Sequence, residues 1–249
     1  MFDYNDLLFL YFIMKKLVYF SLLIIFLISC GPSRFVDPLR RGEHAVSASL
    51  GGPLANVPGV ATIPLPFTSL TYGNGIADNT TLFGSWFSTA AAFGTIQFEV
   101  GATHRLWKDE ENTKGISITP AFNIATDKFE WNTKIWPQLD ANYYWKYNWR
   151  SQIQDDLLTN GPKKPNMLYA GLGSWYELAG KRVHDQPQTT RVIPMIQLGH
   201  DLNWKSWTFK TEFKFIAPFT SNENLVVDYK SILGNYGATG FYFGFTKRF

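Results

Sequence analysis

The side chains able to do acid-base or nucleophilic work are few and scattered. Among 249 residues there are four histidines and one cysteine. A histidine beside a carboxylate activates water or a hydroxyl, and a carboxylate pair shares a proton to the same end. Such neighbours occur at His184-Asp185 and Asp155-Asp156, and Ser47 follows His44 by three residues. In a strand, residues three apart face opposite ways, so His44 and Ser47 cannot exchange a proton. A metal centre needs several His, Cys or carboxylate ligands converging on one point. The histidines do not cluster, and the loop Ser221-Asn222-Glu223-Asn224 with Asp228 reads as a solvated loop without any ligand. No catalytic residue and no metal ligand are assigned, and no cofactor is expected.

The charged residues carry a clearer pattern. At 207–215, Trp207, Phe209, Thr211, Phe213 and Phe215 occupy one parity while Lys210, Glu212 and Lys214 occupy the other. A period of two is the signature of a strand with unlike faces. At 96–106, Ile96, Phe98, Val100, Ala102 and Leu106 oppose Gln97, Glu99, Gly101, Thr103 and Arg105. At 131–145 one face runs from Trp131 to Trp145 and the other includes Lys134, Gln138 and Asp140. The dyad recurs at 116–124, 168–178, 192–204 and 240–249. Ten segments of this kind can be drawn from residue 44 onward. Segments of about 9 to 11 residues suffice to cross a bilayer as tilted strands. Near 45–51, 67–76 and 80–91 the alternation is less clean, and Thr80 to Phe93 shows large residues on both faces.

Composition agrees with this reading. Aromatic residues make up 17% of the chain and charged residues only 17%, against 45% hydrophobic. Globular domains carry about 25% charged residues, so the chain is neither disordered nor an ordinary soluble enzyme. The slightly negative mean hydropathy excludes a bundle of membrane-spanning helices. Aromatic enrichment with few charges and no net hydrophobicity fits a transmembrane β-barrel, whose strands alternate lipid-facing and lumen-facing residues. A net charge of +3, with no long basic run, gives no nucleic-acid footprint.

The last ten residues, Gly-Phe-Tyr-Phe-Gly-Phe-Thr-Lys-Arg-Phe, end on Phe249. They resemble the C-terminal strand of bacterial outer-membrane β-barrel proteins, and the resemblance implies that Phe249 is read by the barrel-insertion machinery. Upstream, Met14-Lys15-Lys16 precede an apolar run from Leu17 to Ile28, then Ser29 and Cys30. A basic start, an apolar run and a small residue before the cut make a secretory signal peptide. Leu27-Ile28-Ser29-Cys30 resembles the bacterial lipobox, which implies diacylglycerol and fatty acyl groups on Cys30. Met14 is the better start, so residues 1–13 are read as an over-extended frame. The expected organisation is a signal peptide at 1–29, a lipid-tethered linker at 30–43 and a barrel at 44–249.

The fold expected is an antiparallel up-and-down barrel of about ten strands, with eight or twelve as alternatives and a soluble β-sandwich lipoprotein as the architectural competitor. Ten strands put both termini in the periplasm, with short turns at 77–79 and 205–206 beside them and longer loops at 52–66, 179–190 and 217–237 outside. The polar stretch 148–166 conflicts, being a long connection on the periplasmic side. Glu99, Arg105, Lys134, Asp140, Glu177, Asp201, Lys210, Glu212, Lys214 and Arg248 are expected to face the lumen. A ten-stranded interior is barely wider than its own side chains, and inward charges must pair. Inward Gly101, Gly171, Gly173, Gly199, Gly240 and Gly244 leave room along the wall. The expected role is a non-enzymatic structural or interaction component of the outer membrane with a largely closed lumen, anchored on the periplasmic side. A narrow passive channel is the first alternative, and a barrel enzyme acting on lipid or peptide the second. Expected partners are outer-membrane lipids, the insertion machinery and a protein in the outer membrane or periplasm.

Overall fold

The computed structural model describes residues 32–57, 59, 61–129, 131–148, 164–178, 180, 191–223 and 228–249. Eleven strands follow in chain order: β1 His44–Val57, β2 Ala61–Pro64, β3 Thr68–Ala77, β4 Thr80–Trp86, β5 Thr95–Lys108, β6 Lys114–Asp127, β7 Thr133–Tyr147, β8 Asn166–Tyr176, β9 Val192–Trp204, β10 Trp207–Ser221 and β11 Tyr236–Arg248. β1 and then β3 to β11 each pair antiparallel with the next, and β11 returns to β1 from Ala45↔Arg248 to Pro53↔Gly240. The ring is therefore closed at ten strands, and β2 pairs only with the end of β1, from Leu54↔Pro64 to Val57↔Ala61. Closure removes the unpaired edges that an open sheet would expose.

The start of β1, the end of β11, the end of β7, the start of β8 and the connections at 78–79, 109–113 and 205–206 gather at one mouth, called here the termini mouth. β7 ends and β8 begins at this mouth, so the polar stretch that conflicted in the sequence reading does not change the strand count. At the opposite mouth the stretch expected as a loop at 52–66 is largely β1 running on to Val57 and folding back as β2. The stretch 80–91, expected as a single strand, is strand only to Trp86; Ser88–Ala92 form a short helix α1. The run Ala90-Ala91-Ala92 favours helix, while within β4 large residues face both ways, Leu82 and Trp86 outward and Phe83 into the barrel.

The faces are inverted relative to a soluble protein. Leu70, Leu82, Val100, Phe122, Leu139, Leu172, Leu198 and Phe245 are exposed on the outside, while Thr103, Ser117, Asn142, Gln197 and Thr239 are buried inside. Aromatic side chains ring both ends of this surface: Trp107, Trp145, Trp204 and Trp207 toward the termini mouth, Trp86, Phe129, Trp131 and Phe219 toward the other. An apolar band between two aromatic girdles is the exterior of a barrel that sits in lipid.

Inside, inward glycines make room for large neighbours rather than for solvent. A Cβ on Gly199 would overlap the ring of Tyr169, and one on Gly115 or Gly240 would meet Tyr144 or Tyr242. These three tyrosines are among the largest fully buried side chains. With Val36 they reach across the lumen: Val36, Tyr144, Met167 and Tyr169 form one apolar cluster.

Val36 does not belong to the wall. Residues 32–39, which the sequence reading placed in a free linker, lie within the barrel; Val36 and Leu39 are fully buried and Ser33, Arg34 and Asp37 nearly so. The chain enters at the termini mouth and rises along the lumen as it is followed back from Glu43 to Pro32. Gly73 and Gly75 of β3 accept it: a Cβ on Gly73 would strike the ring of Phe35, and one on Gly75 the backbone carbonyl of Arg40.

Candidate functional site

Two clusters of charge cross the lumen, each completed by this N-terminal segment. In mid-barrel the Arg34 Nε donates to Glu99 Oε2 at 2.9 Å, and Ser85 Oγ donates to the same oxygen at 2.8 Å. The backbone N–H of Ser33 reaches both oxygens of Glu212 at 3.1 Å, and Lys210 Nζ donates to the Ser33 carbonyl at 2.8 Å. Glu212 also pairs with Lys214 at 3.2 Å and accepts from the Tyr169 hydroxyl. Lys210 pairs with Asp201 at 3.6 Å.

Nearer the termini mouth, three cations surround one carboxylate. Asp37 Oδ1 lies 3.2 Å from Arg105 Nη1, and its Oδ2 lies 3.1 Å from Lys146 Nζ and 3.7 Å from Lys164 Nζ. Lys164 stands outside the strands, and burial, with Arg248 next, holds its ammonium at about 8, below the ordinary lysine range, against the opposite pull of Asp37, Glu43 and Asp201. Arg248 itself pairs with Glu43 at 3.8 Å. The segment's backbone is fixed between the clusters by the Leu39 N–H on Thr81 Oγ1 at 2.7 Å and by the Arg34 carbonyl accepting from Thr103 at 3.1 Å. Phe35, at φ 38°, takes a left-handed backbone conformation that a bulky side chain adopts only under constraint. Its ring lies 6.3 Å from that of Phe83.

Above the segment the lumen opens to a cavity of about 340 Å³ facing the opposite mouth. Phe87, Trp136 and Trp175 give it aromatic walls, and Arg34, Glu99, Lys134, Asp140, Glu177 and Lys214 are its charged lining. Asp140 accepts from Gln138 Nε2 at 2.7 Å through Oδ2, while among the described residues its Oδ1 has no hydrogen-bond partner. Below, a wider space at the termini mouth is lined by Arg40, Arg41, Arg105, Lys108, Lys146, Lys164, Lys205 and Arg248 against Asp37, Glu43, Asp78 and Glu111.

The ten polar residues expected to face the lumen separate by depth. Glu99, Asp140, Asp201, Lys210, Glu212 and Lys214 are buried within it. Arg105 and Arg248 line the termini mouth, and Lys134 and Glu177 the opposite vestibule. Sequence reasoning missed Arg34, Asp37, Lys146 and Lys164. Lys146 continues the inner parity of β7 and needed only a longer strand to be found; the pair Gly73 and Gly75 was the trace left by the segment that rests on them. The histidines serve outer packing: His44 Nδ1 lies 2.7 Å from the Tyr72 hydroxyl, His104 Nδ1 2.9 Å from Thr80 Oγ1 and His200 Nε2 2.6 Å from the Tyr147 hydroxyl. Cys30, Asp155-Asp156 and His184-Asp185 lie outside the described residues. In the loop after β10, Asp228 is tied to Lys230 at 2.9 Å and to Asn56 at 3.0 Å, bonds that hold its carboxyl below the usual range. Phe249 exchanges backbone hydrogen bonds with His44, closing the last strand against the first.

A closed ring of ten antiparallel strands, apolar outside and polar and filled within, defines the class: an antiparallel β-barrel with a lipid-facing exterior. Among solved structures the chain is similar to an outer membrane channel from Pseudomonas putida F1, at 8% identity and a TM-score of 0.44 over 88% of this chain and 99% of that one. It is also similar to the N-terminal β-barrel domain of Pseudomonas aeruginosa OprF, at 11% identity and a TM-score of 0.33 over 85% of this chain and all of that domain. A third is the translocator domain of the autotransporter NalP from Neisseria meningitidis, at 11% identity and a TM-score of 0.37 over 86% of this chain and 91% of that one. No protein-family model matches the chain, and no curated protein matches it in sequence.

Proposed function

We propose that the chain is a non-enzymatic outer-membrane barrel lipoprotein whose lumen is closed by its own N-terminal segment and which acts as a structural or interaction component. One observation carries this reading: residues 32–39 are buried in the lumen and tied to opposite walls through Arg34 and Asp37. We place the mouth with the short turns, the start of β1 and the end of β11 in the periplasm, a reading supported by the loop-length asymmetry such barrels show. Partners then meet the connections at 177–191 and 222–235 outside or 148–165 inside.

The test is conductance. The mature chain, refolded in detergent without lipid and checked for heat-dependent gel mobility, is expected to be silent in a planar bilayer; steady, reproducible openings overturn closure. Labelling with palmitate in cells, lost on Cys30→Ser, tests the lipoprotein part.

A second reading, a narrow channel, draws support from the placement of Pro32. Cys30 stands two residues before it, a reach of about 7 Å, and Pro32 lies inside the barrel. Acyl chains on Cys30 cannot enter the periplasmic leaflet while the segment is seated. Periplasmic anchoring and closure therefore compete, and a lipid-held segment leaves the lumen free.

A further inference from the structure

Three cations on one carboxylate are more than closure requires. A single buried partner neutralises Asp37, yet Arg105, Lys146 and Lys164 all lie within 4 Å of it. The three cations thus outnumber the one carboxylate they surround even when the segment is seated, while Arg248 at the same mouth is paired with Glu43.

The cations are also held in place by groups other than Asp37. Arg105 Nη2 donates to the Asp78 carbonyl at 2.6 Å. Lys146 Nζ donates to Asn112 Oδ1 at 3.4 Å and stands 5.4 Å from the centre of the Tyr144 ring. Arg105 and Lys146 therefore each have a partner on the wall that does not belong to the segment. Donors fixed in advance around the place of a missing negative charge make an anion site, since binding then costs no rearrangement, and a planar guanidinium beside ammonium groups suits the oxygens of carboxylate or phosphate.

We propose that Arg105, Lys146 and Lys164 form an oxyanion site whose resident occupant is the Asp37 carboxylate, and that a small dissolved oxyanion takes its place when the N-terminal segment leaves the lumen. The segment is then an internal competitor for the site. This rests on the closed-lumen reading above and specifies what the freed lumen selects. The carboxylate leaves as part of the segment and no bond is made or broken, so exchange is a matter of charge and fit alone.

The experiment uses the full mature chain, refolded, with inorganic phosphate as the probe. Unfolding midpoints of the wild type, Asp37→Ala and Asp37→Ala/Arg105→Gln are followed against phosphate concentration, with sodium chloride at matched ionic strength as the control for screening. Removing Asp37 leaves buried cations without their partner, a destabilising state. Phosphate should restore the Asp37→Ala midpoint saturably, at a concentration about tenfold or more below any effect on the wild type, and the restoration should vanish in the double variant. An Asp37→Ala barrel that responds to phosphate no more than to chloride overturns the oxyanion site and leaves closure standing. A wild type as responsive as Asp37→Ala overturns closure itself, because the site was then never occupied. If Asp37→Ala does not refold, Gly75→Val, which drives the segment away at Arg40 and keeps every wall cation, is read in its place under the same two criteria.

Discussion

Reversing the charge of Arg34 should open the barrel. The guanidinium and Glu99 are both nearly inaccessible, with side-chain exposures of 7% and 6%, and their N–O separation is 2.9 Å. Unit charges about 4 Å apart interact by about 4 kcal/mol at the effective dielectric of about 20 that fits protein sites. Arg34→Glu removes that attraction and substitutes repulsion of similar size, so about 8 kcal/mol is the ceiling of the change. Loss of the attraction alone, about 4 kcal/mol, alters the ratio of seated to unseated segment by about a thousandfold. The remaining ties, at Ser33, the Arg34 carbonyl, Asp37 and Leu39, must then hold the segment against that change. The assay is single-channel recording on the refolded variant, with heat-dependent mobility as the control for an intact barrel. Arg34→Glu should show frequent openings where the wild type is silent, and Arg34→Glu/Glu99→Arg should be silent again, since the swap restores one cation and one anion at the same positions. A folded Arg34→Glu barrel that stays silent refutes the reasoning, as does a swapped pair that stays open.

Other outcomes follow from the same geometry. Gly75→Val should place a side chain against the Arg40 carbonyl and raise conductance, whereas Gly84→Val, where only the Glu99 carbonyl at 3.9 Å stands near an added Cβ, should not. Because Lys164 is held at about 8 in the folded chain and has an ordinary value of 10.5, the unfolded chain binds more protons between those two values. Stability therefore rises with pH from about 8 to 10.5 through this group, and the penalty is full below 8. A Lys164→Met variant should lack that part of the rise when denaturant midpoints are compared across the window. Protein purified with lipid on Cys30 should open more often than the Cys30→Ser protein from the same membranes, because anchoring draws the segment out. Equal silence of the two forms would set aside competition between anchor and closure. In the turn after β5, Asp109 accepts from the backbone of Thr113 and Lys114, bonds that keep its carboxyl below the ordinary range. Asp109→Ala removes these turn bonds and should lower the denaturant midpoint slightly with unchanged conductance.

How much of this was legible before the fold was known differs between the wall and what fills it. The parity of Lys210, Glu212 and Lys214 against Phe209, Phe213 and Phe215 is a local property: in an extended chain successive side chains must face opposite ways, so the wall's inner and outer faces are written in adjacent residues. The same rule yielded Glu99, Asp140 and Asp201 without any knowledge of their neighbours. It failed at Ser88–Ala92, where helix propensity replaced the period of two, and at the first strand, where small residues such as Gly51 and Gly52 blur the faces. The N-terminal segment left almost no local trace. Pro32 to Leu39 has neither helical nor strand periodicity, and its charges looked like those of a solvated linker.

Sequence by itself therefore determined a membrane-type barrel and the inner parity of its strands. The tertiary structure decided that the count is ten, that the N-terminal segment lies in the lumen and that Arg34 and Asp37 tie it to the wall. The reason is the range of the interactions. Alternation is set by bonds between neighbouring residues, whereas Arg34 finds Glu99 across 65 residues of chain and Ser33 finds Glu212 across 179. No local pattern records which distant charge a closing ring will bring into reach.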